Sequence, residues 1–229
     1  MPTVFLQGGN ELTEACRPMD EILLRRAGDG PVVIVPLASR PGSDYTRTGA
    51  NAVRYFQSLG ADATAAPDAR RRPDEAATAV EGAGYVVMTG GSPRVLRDAL
   101  VETGLGAVIA SRHAAGCPVM GSSAGAMVAC AVTLLPQWRG NPTLGPGLGL
   151  VPGHVVVPHF DGSRPAWVRA ALCADDVTVL GIPECSGVIV DSAGAGSKAE
   201  LSAVGVAATS VITARGRSLL VAGDGFEPS

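Results

Sequence analysis

The sequence predicts an α/β fold: one doubly wound, mostly parallel sheet with helices on both faces. Three observations predict it. Apolar runs of strand length recur along the 229 residues, Val32-Val33-Ile34-Val35 being the plainest. Runs without polar alternation suit strands buried on both faces of a parallel sheet. Helical stretches alternate with these runs, as right-handed β-α-β crossovers require. Hydrophobic residues make up 46% and charged residues 17%, enough apolar material for a substantial core in one domain over residues 1–229.

The expected strands are Val4–Leu6, Val32–Leu37, Tyr85–Met88, Pro118–Met120, Val155–His159, Val177–Gly181 and Val188–Asp191. Among the helices, Thr48–Leu59 stops at Gly60, a favourable C-terminal residue. Ser92-Pro93 reads as an N-cap followed by proline in the first turn. A helix over Ala124–Leu135 follows the fourth strand. From about Ala199 the segments Val204–Val206, Val211–Thr213 and Leu219–Val221 suggest a small antiparallel β extension. The tail from Gly223 to Ser229 is expected to fray.

Composition narrows the function. The net charge of −3 gives no general attraction to nucleic acid, and Arg70-Arg71-Arg72 reads as a solvated loop. Five cysteines without a C-x-x-C pair (Cys16, Cys117, Cys130, Cys173, Cys185) predict small core residues rather than a disulfide framework or zinc site. No cofactor and no metal is expected. The chain reads as a cytoplasmic protein without a signal peptide or membrane span. A homodimer is suggested only by analogy with similar folds.

In a doubly wound sheet, function collects at the carboxyl ends of the strands. Those ends carry Gly8-Gly9-Asn10-Glu11, Ser39-Arg40, Thr89-Gly90-Gly91-Ser92, Gly121-Ser122-Ser123, His159-Phe160-Asp161 and Pro183-Glu184. Gly121-Ser122-Ser123-Ala124-Gly125 matches G-x-S-x-G between an apolar strand and a helix. That context puts a serine on a sharp, exposed turn. Ser123 is the expected nucleophile, with Ser122 as its neighbouring alternative. The Ala124 amide is the expected first oxyanion donor and Gly91, in the adjacent glycine turn, the second.

Of the three histidines, His113 sits in an Ala-rich helical stretch and reads as surface. His154 and His159 flank one strand. His159 lies at its functional end and is the expected general base. No Asp or Glu separates Ser123 from His159 and no histidine follows it, which removes the serine–acid–histidine order of α/β-hydrolases. Glu184 is the best candidate acid, with Asp161 and Asp191 as alternatives. Ser92, Arg94, Arg164 and Arg169 are candidate substrate contacts.

Taken together, these residues resemble the dipeptidase E and cyanophycinase family of serine peptidases. Gly121-Ser122-Ser123-Ala124-Gly125-Ala126 looks like its elbow. Gly147-Leu148-Gly149-Leu150-Val151-Pro152-Gly153 with His159-Phe160 looks like its G-L-G-x-x-P-G…H-F segment, and Gly181-Ile182-Pro183-Glu184 like its acid segment. Leu6-Gln7-Gly8-Gly9 and Thr89-Gly90-Gly91 fit its glycine turns. The resemblance implies a class I glutamine amidotransferase-like fold and a triad of Ser123, His159 and Glu184. It also implies hydrolysis of a small peptide or isopeptide bond beside an aspartyl residue. The second glycine turn departs from the family's usual Asp or Asn followed by Gln, continuing instead Ser92-Pro93-Arg94. The alternatives are an amidase or transferase of the glutamine amidotransferase type, with Cys185 as a conceivable thiol, and a non-catalytic ligand-binding member of the fold.

Overall fold

The structure is a computed structural model that describes residues 3–191 and 199–223. The chain begins β1 (Thr3–Gln7), α1 (Arg17–Ala27), β2 (Val32–Val35), α2 (Ser43–Ser58) and β3 (Ala63–Ala65). Next come α3 (Pro73–Glu81), β4 (Tyr85–Met88), α4 (Pro93–Glu102), α5 (Leu105–Ala114), β5 (Val119–Ser122) and α6 (Ala124–Ala129). The second half runs β6 (Val132–Leu135), β7 (Thr143–Pro146), β8 (His154–Val157), α7 (Pro165–Ala171) and β9 (Thr178–Gly181). It ends with β10 (Ser186–Asp191), β11 (Glu200–Gly205), β12 (Thr209–Thr213) and β13 (Gly216–Leu220).

The central sheet has the order β11-β10-β1-β5-β4-β2-β3. From β1 to β3 its neighbours pair in parallel, while β10 and β11 add antiparallel at one edge. Apart from the edge strand β3, each parallel strand is buried on both faces, which is why its sequence shows no polar alternation. Val4, Leu6, Val33, Val35, Val86, Met88 and Val119 pack on one face with α3, α4, α5 and α6. Phe5, Val32, Ile34, Tyr85, Val87 and Met120 pack on the other with α1 and α2. Helices therefore cover both faces, as the sequence predicts.

Several details differ from the sequence expectation. The strands expected at Val155–His159 and Val177–Gly181 leave the central sheet. As β8 and β9 they pair with each other, and with β12 and β13 they make a second sheet of order β13-β12-β9-β8. The C-terminal β extension is present but divided, β11 joining the first sheet and β12–β13 the second. The helix expected over Ala124–Leu135 stops at Ala129, because Cys130 is extended (φ −68°, ψ 165°). Val132–Leu135 then forms a hairpin with β7. The run Val132-Thr133-Leu134-Leu135 is short and apolar, and periodicity alone does not separate strand from helix in such a run. Asp191 is no turn residue: it pairs with Thr3 in the β1–β10 ladder and accepts from Thr3 Oγ1 at 2.7 Å. Beyond Gly223 the tail lies outside the described residues.

Two other readings are corrected. Arg70 is not a solvated loop residue. It pairs with Asp68 at 2.8 Å, stacks over the Tyr45 ring and donates to Ser39 O. His113 is buried, on the same side of α5 as Leu105 and Ile109, and its Nδ1–H points to Cys117 O at 3.3 Å. Burial holds its pKa below the ordinary value. Of the five cysteines, all free, four are buried and Cys173 is exposed. Among the described residues no helix is long and apolar enough to cross a membrane.

Candidate active site

Ser123 joins β5 to α6 with φ 48° and ψ −105°, a conformation costly for a residue with a side chain. Strain of this kind amounts to roughly 1–3 kcal/mol and survives only where the surroundings enforce it. Here they do. A Cβ on Gly121 would lie 2.3 Å from the Gly125 carbonyl carbon, so the turn closes only on glycine. The Ser123 amide donates to Gln7 O at 2.9 Å, tying the turn to β1. Ser122 is 1% exposed, lies on the α1/α2 side of the sheet and makes no side-chain hydrogen bond among the described residues. Ser123, by contrast, is half-buried and its hydroxyl meets a histidine.

The second sheet delivers the partner of Ser123. His159 follows β8 with φ 49°, and its amide donates to Gly8 O at 2.8 Å. Its Nε2 lies 2.9 Å from Ser123 Oγ, and its Nδ1 lies 2.8 Å from Glu184 Oε1. A carboxylate only accepts, so Nδ1–H is the donor and the Nε2 lone pair is left to receive the Ser123 proton. Glu184 follows β9 and its side chain is 55% exposed, against 35% for His159. The set is thus a hydrogen-bonded line of hydroxyl, imidazole and carboxylate at the molecular surface. Such a line can make a serine nucleophilic and stabilise the imidazolium formed when it attacks.

The alternative acids do not reach this imidazole. Asp161 folds onto its own loop, accepting from the Ser163 amide at 2.9 Å and from its hydroxyl at 2.6 Å. Asp191 is engaged by Thr3 and Arg26. Cys185 follows Glu184, but its thiol is buried among Asn10, Thr13 and Cys16 and makes no hydrogen bond to His159 among the described residues. His154 sits at the far end of β8, where Nδ1–H donates to Pro152 O at 2.8 Å.

The two backbone amides expected as oxyanion donors are left unpartnered among the described residues. Neither Gly91 N–H nor Ala124 N–H has an acceptor among the described residues, and Gly91 is exposed. Of the expected substrate contacts, Ser92 caps α4, accepting from the Val95 amide at 3.3 Å. Arg164 stacks over Trp167 at 5.5 Å where α7 begins. Arg94 and Arg169 are exposed and form no salt bridge among the described residues. Among the described residues no hydrogen bond, salt bridge or cation–π contact ties these four side chains to the Ser123–His159–Glu184 line. No group of three or more His, Cys, Asp or Glu suited to a metal occurs among the described residues. A cleft of about 480 Å³ lies between α2 and β3, lined by Tyr45, Ala66, Asp68 and Arg71, and includes none of the site residues.

The segment Gln7–Glu11, read from sequence as a strand end and glycine turn without a site role of its own, is bonded all around the site. Gln7 O accepts from Ser123 N and Gly8 O from His159 N. Gly9 O accepts from Cys185 N at 3.0 Å, beside Glu184. Glu11 Oε1 accepts from Gly90 N at 2.7 Å. Gly9 itself lies under the imidazole: a Cβ there would sit 2.2 Å from His159 Cε1.

Solved structures share this architecture. A peptidase from an acI-B1 Actinobacterium is similar with a TM-score of 0.79 at 22% identity, over 98% of this chain and 96% of that one. A putative peptidase E protein from Listeria monocytogenes EGD-e is similar with a TM-score of 0.63 at 18% identity, over 90% of this chain and 100% of that one. No curated protein matches the chain at a significant level. In sequence, the description "Peptidase family S51" matches residues 4–196, most of the chain. The chain belongs to peptidase family S51.

Proposed function

We propose that the protein is a serine peptidase in which Ser123, His159 and Glu184 act as nucleophile, general base and orienting acid. The observation that carries this reading is the continuous line from Ser123 Oγ to His159 Nε2 (2.9 Å) and from His159 Nδ1 to Glu184 Oε1 (2.8 Å). Ser123 Oγ attacks the scissile carbonyl carbon while Nε2 takes its proton. The carbonyl oxygen becomes an oxyanion facing the Gly91 and Ala124 N–H groups. Collapse breaks the C–N bond, and His159 gives the proton to the departing amine. Water then attacks the acyl-serine with His159 again as base. The carboxylic acid leaves and the Ser123 hydroxyl is restored.

The substrate class we propose is a small peptide or isopeptide, cleaved beside an aspartyl residue. Its support is the resemblance of the elbow, the His159-Phe160 segment and the Glu184 segment to dipeptidase E and cyanophycinase. The peptidase E description of the Listeria relative points the same way.

The test is a panel of α-aspartyl dipeptides and β-aspartyl-arginine, run beside labelling with a fluorophosphonate, which reacts with activated serines. Wild type should be labelled and should cleave a member of the panel. Ser123→Ala should do neither. Glu184→Gln should lose between about 10² and 10⁴ in kcat. The upper figure is that of a buried triad carboxylate, and solvent around this half-exposed one lowers it. Near-normal hydrolysis by Ser123→Ala would overturn the assignment.

A further inference from the structure

We propose that Glu11 is a positioning residue for the oxyanion donors, acting through the Gly90–Gly91 turn. The inference rests on the serine-peptidase reading and adds to it a residue that, among the described residues, hydrogen-bonds to neither Ser123 nor His159.

The chain leaves β1 through a bend in which Gly9 (φ 123°), Asn10 (φ 58°) and Leu12 (φ 64°) are all left-handed. This bend carries the Glu11 side chain to Gly90, which follows β4 and lies 79 residues later. Glu11 Oε1 accepts from the Gly90 amide at 2.7 Å. A Cβ on Gly90 would stand 2.4 Å from that oxygen, so the carboxylate seats itself only against glycine.

The consequence appears in three successive amides. Gly90 N–H is held by Glu11, and Ser92 N–H by Ala38 O at 3.0 Å. Gly91 N–H, between them, has no acceptor among the described residues. The Gly91 backbone (φ 140°) also rests on Ala38, whose carbonyl oxygen a Cβ at Gly91 would meet at 2.6 Å. A Gly-Gly peptide rotates easily. Ala38 fixes this one from its far side and Glu11 from its near side, and together they aim the Gly91 N–H.

A carboxylate near a developing oxyanion repels it, so the charge itself is a cost and the acceptor oxygen is the useful part. That separates the variants. Glu11→Gln keeps an acceptor and removes the charge, and its kcat should stay within about threefold of wild type or rise. Glu11→Ala removes the acceptor, and Glu11→Asp withdraws it by one methylene. Both should lose about 10- to 100-fold in kcat, short of the 10²–10³ for deleting a whole donor, with KM changed less than about threefold. Their affinity for a peptidyl boronate, whose tetrahedral serine adduct places an oxygen against the donors, should fall by the same factor as kcat.

The measurements are kcat and KM on a peptide that wild type cleaves, boronate inhibition, and fluorophosphonate labelling. Urea midpoints confirm that each variant is folded. A folded Glu11→Ala with wild-type kcat and boronate affinity would overturn the proposal, because a purely structural bond would shift the midpoint alone. So would a Glu11→Gln as impaired as Glu11→Ala. If wild type itself resists fluorophosphonate, the serine-peptidase reading fails first and takes this inference with it.

Discussion

Replacing Gly9 by alanine tests whether the imidazole is held in place from below. The new methyl carbon would lie 2.2 Å from His159 Cε1 and 2.7 Å from both ring nitrogens. Carbon atoms in contact settle near 3.5 Å, so either the ring or the loop must move by about 1.3 Å. The loop is pinned: Gly8 N donates to Ser186 O, Gly8 O accepts from His159 N, and Gly9 O accepts from Cys185 N. The ring therefore yields, and a shift of that size lengthens the 2.9 Å Ser123–His159 contact beyond hydrogen-bonding range. Misplacement of about 1 Å costs on the order of 100-fold in rate, or roughly 2.7 kcal/mol. Alanine at φ 123° also destabilises the fold, by about 1–3 kcal/mol. Gly28→Ala supplies the control. Gly28 also has a left-handed φ (85°), but a Cβ there meets nothing within 4 Å. Fluorophosphonate labelling rates and urea midpoints should show both variants less stable and only Gly9→Ala slow to label. A folded Gly9→Ala that labels at the wild-type rate would refute the reasoning.

Two further outcomes follow from buried groups. Cys185→Ser should keep wild-type kcat within a few-fold, since its thiol lies among Asn10, Thr13 and Cys16; loss of peptide hydrolysis in that variant, with the fold intact, would revive a thiol mechanism. Burial lifts the Asp20 carboxyl from 3.8 to about 7, against the opposing hydrogen bond from Tyr55. The folded protein then keeps a proton that the unfolded chain releases, so this group makes stability fall as pH rises between those values, by roughly 4 kcal/mol. Asp20→Asn should flatten that part of the urea-midpoint profile, and parallel profiles for variant and wild type would exclude the effect.

How much of the fold could be read depended on what each element uses. The parallel strands announce themselves because burial on both faces demands unbroken apolar runs, as in Val32–Val35. The same demand is silent about which sheet a strand joins. Val155–Val157 and Val179–Leu180 are as apolar as β2, yet they pack with α6 and α7 in a second layer. β3 is three residues, Ala63–Ala65, of which two are exposed, so no run marks it. His113 was legible after all: Leu105, Ile109 and His113 are spaced by four, one buried side of α5. The Ala-rich neighbourhood hides that spacing.

The candidate site divides along a chemical line. Ser123, His159 and Glu184 present side chains whose chemistry is rare, and their order along the chain already excludes one triad type. Glu184 was separable from Asp161 and Asp191 in sequence only as a preference, whereas the structure shows those two carboxylates already bonded elsewhere. The frame that aligns the three works through groups that every residue owns: the carbonyl oxygens of Gln7, Gly8 and Gly9. Backbone atoms leave no mark on composition or motif, so glycine spacing is their only trace. Glu11 is the exception, a side chain doing the same holding task on Gly90. It makes the frame accessible to mutation: Glu11→Gln and Glu11→Ala vary a contact that, at Gln7 or Gly8, no side-chain substitution removes.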